Sequence, residues 1–239
     1  MPDRKVLVTN DDGIGSDDIV RLAEEAKNFG EVWVVAPNSQ RSANSHSMTV
    51  HTPFEAWEYD FPVDGVRAFA CNGTPADCVR VGILKLIPGG PDYVFSGINY
   101  GYNIASDIQY SATVGAALEG AFMGVQSIAF SRYNVEEHEV TDHYLHELMA
   151  EYMEKPLGSR QIWNINFPGC KLNECKGIMR DCVISQDMMY DEDYSVKESE
   201  NGHQIFETAS VRTWVGSPGT DLYAVTHNYV SIGVVNNYQ

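Results

Sequence analysis

A chain of 239 residues, 44% hydrophobic, can bury the core of one large α/β domain, or of a domain with an appendage, without disulfide staples. Its net charge of −17 leaves no basic face for a nucleic-acid duplex or an anionic membrane surface. No run approaches the ~20 apolar residues of a membrane span and no secretory leader precedes the first strand, so a cytoplasmic location is expected.

Val6-Leu7-Val8 reads as a buried parallel strand, and its exit, Asn10-Asp11-Asp12-Gly13, sets two carboxylates beyond the strand's carboxyl end, where ligands of such sheets collect. Adjacent carboxylates repel and lose solvation there, so they suit a hard divalent cation. The same residues also make an ordinary turn, with Asp as a cap and Gly at positive φ. Ser16 and Asp17 then open a helix with Ile19, Leu22, Ala23, Ala26 and Phe29 at helical spacing, closed by Gly30. Val32–Ala36 is a second buried strand, which completes a right-handed crossover, and its polar exit to Ser42 carries one positive charge, Arg41.

Alternation in Met48–His51 and Val66–Ala70 predicts paired strands. Thr74, Pro75 and Asp77 begin a helix running to about Leu86, in which Thr74 and Asp77 cap rather than touch a ligand. Asp92–Phe95 is a third parallel strand whose exit, Ser96 to Asn103, is rich in glycine and amides. Ser111 and Thr113 introduce an Ala/Gly-rich helix from Val114 to Met123, and its free N–H groups form an anion site. A strand at Ser127–Phe130, a helix at Thr141–Met153 and a strand at Ile162–Phe167 close a core over residues 1–170. Residues 171–239, with acidic turns at Asp191–Asp193 and Glu198–Gly202, read as a hairpin and C-terminal arm extension rather than a second domain. The fold class expected is α/β, a Rossmann-like three-layer sandwich with a mostly parallel sheet. The five cysteines are an odd, scattered set that fits reduced thiols; Cys170 and Cys175 lack the usual spacing of a metal or redox pair.

Taken in order, Val8-Thr9-Asn10-Asp11-Asp12-Gly13-Ile14, Ala36-Pro37 with Arg41-Ser42, Gly73-Thr74-Pro75-Ala76-Asp77, Ser96-Gly97-Ile98-Asn99 and Tyr110-Ser111-Ala112-Thr113-Val114 resemble the hallmark segments of the SurE family, the stationary-phase survival nucleotidases. Asn164-Ile165-Asn166 and Tyr229-Val230-Ser231-Ile232 are similar too. The resemblance is tight to about residue 130 and looser after 170. It implies an acid-phosphatase-like phosphoric monoester hydrolase that acts on nucleoside 5′- and 3′-monophosphates. It also implies one divalent metal ion per subunit (Mg²⁺ or Mn²⁺, with Ca²⁺ as a crystal substitute) and a homodimer, or dimer of dimers, with exchanged C-terminal arms. By motif position the metal ligands are Asp11, Asp12, Ser42 and Asn99, all oxygen donors.

A phosphate ester needs its charge neutralised, a nucleophile in line and a proton for the leaving oxygen. Asn10, Asn99, Asn103, Ser111, Ala112 and Thr113 are the phosphate-binding candidates, while Asp11 and Asp12 are the catalytic carboxylates. Metal-bound water and direct attack by Asp11 both fit as the nucleophile. His46 is a candidate acid, although a lone loop histidine is more commonly a packing residue. Three positions depart from the family. Ala112 stands where glycine is usual, Ser45 fills a loop position that can be glycine, and Ile184–Asp187 lacks the customary arginines. A binding relative without turnover, weakened through Ala112, is therefore a second reading. A phosphatase of other small esters or short polyphosphates is a third. No G-x-G-x-x-G follows the first strand and no G-x-x-x-x-G-K-[ST] occurs, which argues against a dehydrogenase or an NTPase.

Overall fold

The computed structural model describes residues 4–136, 138–187, 189–198 and 201–237; Ser199 and Glu200 of the second acidic turn lie outside them. Strands β1 (Lys5–Thr9), β2 (Glu31–Pro37), β4 (Arg67–Cys71), β5 (Tyr93–Tyr100), β6 (Gln126–Arg132) and β7 (Gln161–Phe167) form a parallel block ordered β4-β2-β1-β5-β6-β7. An antiparallel β3 (Ala56–Glu58) extends one edge. On the other, β13 (Val230–Asn236) lies antiparallel to β7, and β8 (Ile178–Cys182) parallel to β13, giving nine strands.

Side chains alternate across this sheet, as the period of two requires. Val6 and Val8 pack under α1 (Asp17–Ala26) and α4 (Glu139–Glu154), while Leu7 packs under α2 (Pro75–Val81) and α3 (Ala112–Phe122). Helices thus cover both faces, and the fold is the expected Rossmann-like α/β sandwich.

Two local expectations are corrected. Met48–His51 forms no strand, because the Thr49 N–H donates to both carboxylate oxygens of Asp77, each at 3.1 Å, and the strand pairing with β4 is β3 instead. Strand β5 does not stop at Phe95 but runs to Tyr100 through a register shift between Ser96 and Asn99. Gly97 sits there at φ 135°, where a Cβ would collide with the carbonyl oxygen of Phe130, so only glycine fits. The chain beyond residue 170 holds two kinds of structure. Strands β8 and β13 complete the main sheet, whereas β10 (Tyr194–Glu198) with β11 (Gln204–Thr208), and β9 (Tyr190–Asp191) with β12 (Val211–Arg212), form separate ribbons. A short helix, α5 (Asp221–Thr226), leads into β13; its Asp221 carboxylate accepts from the N–H groups of Ala105 and Ser185 and so ties the segment to the core.

Candidate active site

The exits of β1, β2 and β5 and the start of α3 meet at the carboxyl edge of the parallel block. The Arg41 N–H donates to the Asp11 carbonyl at 2.6 Å and Ile14 N–H to Pro37 O at 2.8 Å, so the loop bearing Ser42 lies against the Asp11 turn. The Tyr100 N–H donates to Asp12 Oδ2 at 3.1 Å, which sets Asn99, one residue earlier, beside the same turn. Thr113, in the first turn of α3, donates its hydroxyl to Asp11 Oδ1 at 2.5 Å.

Asp11 is only 3% exposed, and burial, reinforced by the charge of Asp12, pushes its carboxyl from 3.8 up to about 6 despite the Thr113 hydroxyl. Burial also raises Asp12, with Asp18 adding to it, while the Tyr100 N–H, Arg132 and Gln40 oppose the shift. Among the described residues neither carboxylate has an ion-pair partner. The nearby Arg132 is committed to Asp18, with its NH2 group 2.8 Å from Oδ2, and stacks over Tyr100 at 4.8 Å. A buried carboxylate, Asp11, beside a half-buried one, Asp12, with no cation of their own among the described residues suits a bound divalent ion. No group of three or more His, Cys, Asp or Glu suited to a metal occurs among the described residues, so such an ion would draw its other ligands from neutral oxygens. Asn99 can supply one: its amide nitrogen donates to Gly101 O at 2.7 Å, and its side-chain carbonyl oxygen has no partner among the described residues.

The other predicted residues divide. Ser42 is exposed and accepts from Gln40 Nε2 at 3.1 Å, and the same Gln40 side chain favours the charged form of Asp12, a role its sequence did not signal. Asn10 is turned inward: its amide donates to Gly13 O and Ser16 Oγ and its oxygen accepts from Gly13 N–H, so it shapes the turn. Asn103 donates one amide N–H to Ser131 Oγ and, through its backbone, bonds Asn164 and Asn166. The Asn10 amide thus has both N–H donors in use, whereas Asn103 keeps one amide N–H beyond its bond to Ser131 among the described residues. Ser111 caps α3 by accepting from Val114 N–H at 3.0 Å. Ala112 is the first residue of α3 and fully buried, so its Cβ demands no positive φ and packs inside the protein. Ser45, by contrast, is held at φ 52°, the conformation for which glycine is the easy choice.

His46 faces a buried carboxylate that sequence reasoning passed over. Its Nε2 lies 2.8 Å from Glu119 Oε2, and Arg80 NH2 lies 2.6 Å from Oε1 of the same residue. Burial works against the Glu119 charge, but hydrogen bonds from His46 and Arg80 outweigh it and hold the carboxyl below its usual range. One turn earlier, a Cβ on Gly115 would stand 2.6 Å from Ser45 O, so the loop rests directly on the helix. The Ser45 N–H donating to Tyr110 O adds a third fastening. A lone acid inside Ala116-Ala117-Leu118-Glu119-Gly120-Ala121 was the available signal. Thr74 and Asp77 form the expected capping box on α2.

Comparison with known proteins follows the same outline. The family described as survival protein SurE matches residues 6–190. A 5′-nucleotidase SurE of Clostridium botulinum is 36% identical over 231 residues, covering 95% of this chain and 90% of the relative. A 5′-nucleotidase SurE of Vibrio campbellii is 34% identical over 238 residues, covering 95% and 86%. The crystal structure of the SurE protein from Aquifex aeolicus superposes with a TM-score of 0.83 at 32% identity, over 98% of this chain and 94% of that one.

Proposed function

The chain belongs to the SurE family, and from that footing we propose that it is a divalent-metal-dependent phosphomonoesterase that releases phosphate from nucleoside 5′- and 3′-monophosphates. The observation that carries this reading is the pair of a buried Asp11 and a half-buried Asp12 at a strand end, without a cationic partner among the described residues and flanked by the Ser42 loop, Asn99 and the α3 start. Asp11, Asp12, Ser42 and Asn99 would hold Mg²⁺ or Mn²⁺. When bound, such an ion supplies charge neutralisation at the phosphate and lowers the pKa of a water.

The chain's own part is positional and electrostatic. Thr113 fixes the Asp11 carboxylate by donating to Oδ1, and Tyr100 N–H and Gln40 fix Asp12. The first N–H groups of α3 present partial positive charge to an anionic ester. Asp11 is the carboxylate placed to act, as nucleophile or in orienting water. Ala112 offers no backbone ground for lost turnover.

A homodimer belongs to this proposal. In the β10–β11 ribbon Val196 pairs with Phe206, and Tyr194, Val196 and Phe206 are 57%, 54% and 59% exposed, an apolar face suited to a second copy. No helix among the described residues is long and apolar enough to cross a membrane.

The test is phosphate release from 5′-AMP, 3′-AMP, glycerol phosphate and tripolyphosphate with Mg²⁺, with Mn²⁺ and with EDTA. Metal-stimulated release favouring the nucleotides is expected. The absence of metal-stimulated release from either nucleotide overturns the proposal, and faster hydrolysis of glycerol phosphate or tripolyphosphate moves the substrate class.

A further inference from the structure

Where β13 joins β7, two deeply buried side-chain oxygens have no hydrogen-bond partner among the described residues. They are Asn164 Oδ1 on β7 and Ser231 Oγ on β13, from residues 4% and 1% exposed. A polar atom buried without a partner is costly, and a native fold ordinarily supplies one.

Both side chains lie on the same face of the sheet. Along β7, Trp163 and Ile165 join the core under α1 and α4, whereas Ile162 joins Val114 and Ala117 of α3, so the period of two puts Asn164 on the α3 side. Along β13, Val230 and Ile232 belong to the first side and Val235 to the second, which puts Ser231 beside Asn164. The residue directly opposite Asn164 is Gly233, with Ser231 two residues along. A glycine is obligatory there, since a Cβ would stand 2.4 Å from Cys182 O, and the pair position is left without a side chain.

The space that remains is a cavity of about 10 Å³ lined by Asn164, Ser231, Gly233, Cys182, Ile184 and Asp221, among others. That is close to the roughly 10–15 Å³ that admits one water molecule. Asp221, at the start of α5 and 4% exposed, brings a third oxygen group. Its Oδ1 accepts from the Ser185 and Leu222 N–H groups at 2.9 and 2.7 Å, and its Oδ2 from Ala105 N–H at 3.0 Å, so Oδ2 keeps room for a second donor. The Cys182 thiol donates to Met179 O at 3.2 Å, and its proton is not offered to Ser231.

These groups define what fits between them. The Asn164 amide nitrogen donates to Asn103 O at 2.8 Å, which identifies the amide atom left over as an acceptor. Two acceptors and one hydroxyl complement a water, which has two protons and a lone pair and makes about three hydrogen bonds when buried. A hard cation takes about six or more oxygens, twice the number of groups here.

We propose that this cavity is a built site for one ordered water molecule, which donates to Asn164 Oδ1 and Asp221 Oδ2, accepts from the Ser231 hydroxyl, and so fastens α5 and β13 to β7. The same water steadies the β5 exit from two directions, because Asn164 holds Asn103 O and Asp221 holds Ala105 N–H.

The test is a high-resolution crystal structure of the full-length wild type, with and without a rubidium chloride soak, together with amide hydrogen exchange of wild type and Ser231→Ala. One density peak is expected within about 2.7–3.2 Å of all three oxygens, with no anomalous rubidium signal. Ser231→Ala should lose that peak and speed exchange of the Ala105 amide by about 10-fold, the factor for one net hydrogen bond. A dry cavity in the wild type overturns the proposal whether or not the variant folds, and so does rubidium bound in it. A Ser231→Ala protein that keeps the peak, or loses it with Ala105 exchange unchanged, overturns the three-way bridge.

Discussion

Asp11→Asn in the metal-free protein separates a structural carboxylate from a functional one. The Asp11 carboxyl is raised from 3.8 to about 6 by burial first and by Asp12 second, against the Thr113 hydroxyl. A raised acid pKa means that the folded state binds the proton more tightly than the unfolded chain does. Folding stability is therefore unaffected well below pH 4, falls as pH rises between about 4 and 6, and stays low above that. A shift of that size corresponds to about 3 kcal/mol at pH 7 to 8, which for a chain of this length is roughly 6–12 °C in Tm.

Asparagine keeps an acceptor for Thr113 and carries no charge. In EDTA at pH 8, Asp11→Asn is expected to melt several degrees above wild type, the advantage shrinking to nothing by pH 4. Added Mn²⁺ should raise the wild-type Tm and leave the variant's unchanged, and phosphatase activity should be lost. Scanning calorimetry at pH 4, 6 and 8, with and without metal, measures all of this. A variant no more stable than wild type at pH 8, or one with the same advantage at pH 4, would refute the claim that an uncompensated buried charge is stored there.

Asp12→Asn should weaken Mn²⁺ binding, read by calorimetric titration, by at least about 10-fold, because one of two charged ligands is lost; unchanged affinity would remove Asp12 from the ligand set. Glu119→Gln should cost about 1–2 kcal/mol in denaturant unfolding, less than a fully buried pair because Arg80 and His46 are about a third exposed. It should also raise KM more than it lowers kcat by loosening the Ser42 loop, and a change in kcat alone would show that His46 and Glu119 act in the chemistry. Phe206→Glu should shift the protein from dimer to monomer in light scattering at micromolar concentration, since it charges the apolar face of the β10–β11 ribbon; a dimer unaffected by it would place the contact elsewhere.

Much of this protein is settled by local sequence alone. The apolar runs of β1, β2 and β7, the Thr74-Pro75-Asp77 start of α2 and the Ala/Gly helix α3 declare themselves because burial on both faces, capping and close packing each demand particular residues at fixed spacing. The Asp11-Asp12 turn is legible for the same reason: a strand this apolar has to end somewhere, and two acids at its end need an explanation. Tertiary structure decided the rest, where a group's partner lies far along the chain. Asn10 has the chemistry of a phosphate donor, yet Gly13 and Ser16 take both of its amide N–H groups. Met48–His51 had the alternation of a strand, yet Asp77 captured the Thr49 N–H. Glu119 acquires its meaning from His46, 73 residues away, and the cavity between Asn164, Asp221 and Ser231 exists because β7, α5 and β13 converge. Periodicity reports which face of an element is buried; it carries no record of which distant atom will satisfy a polar group there, and at this edge of the sheet the polar groups carry the chemistry.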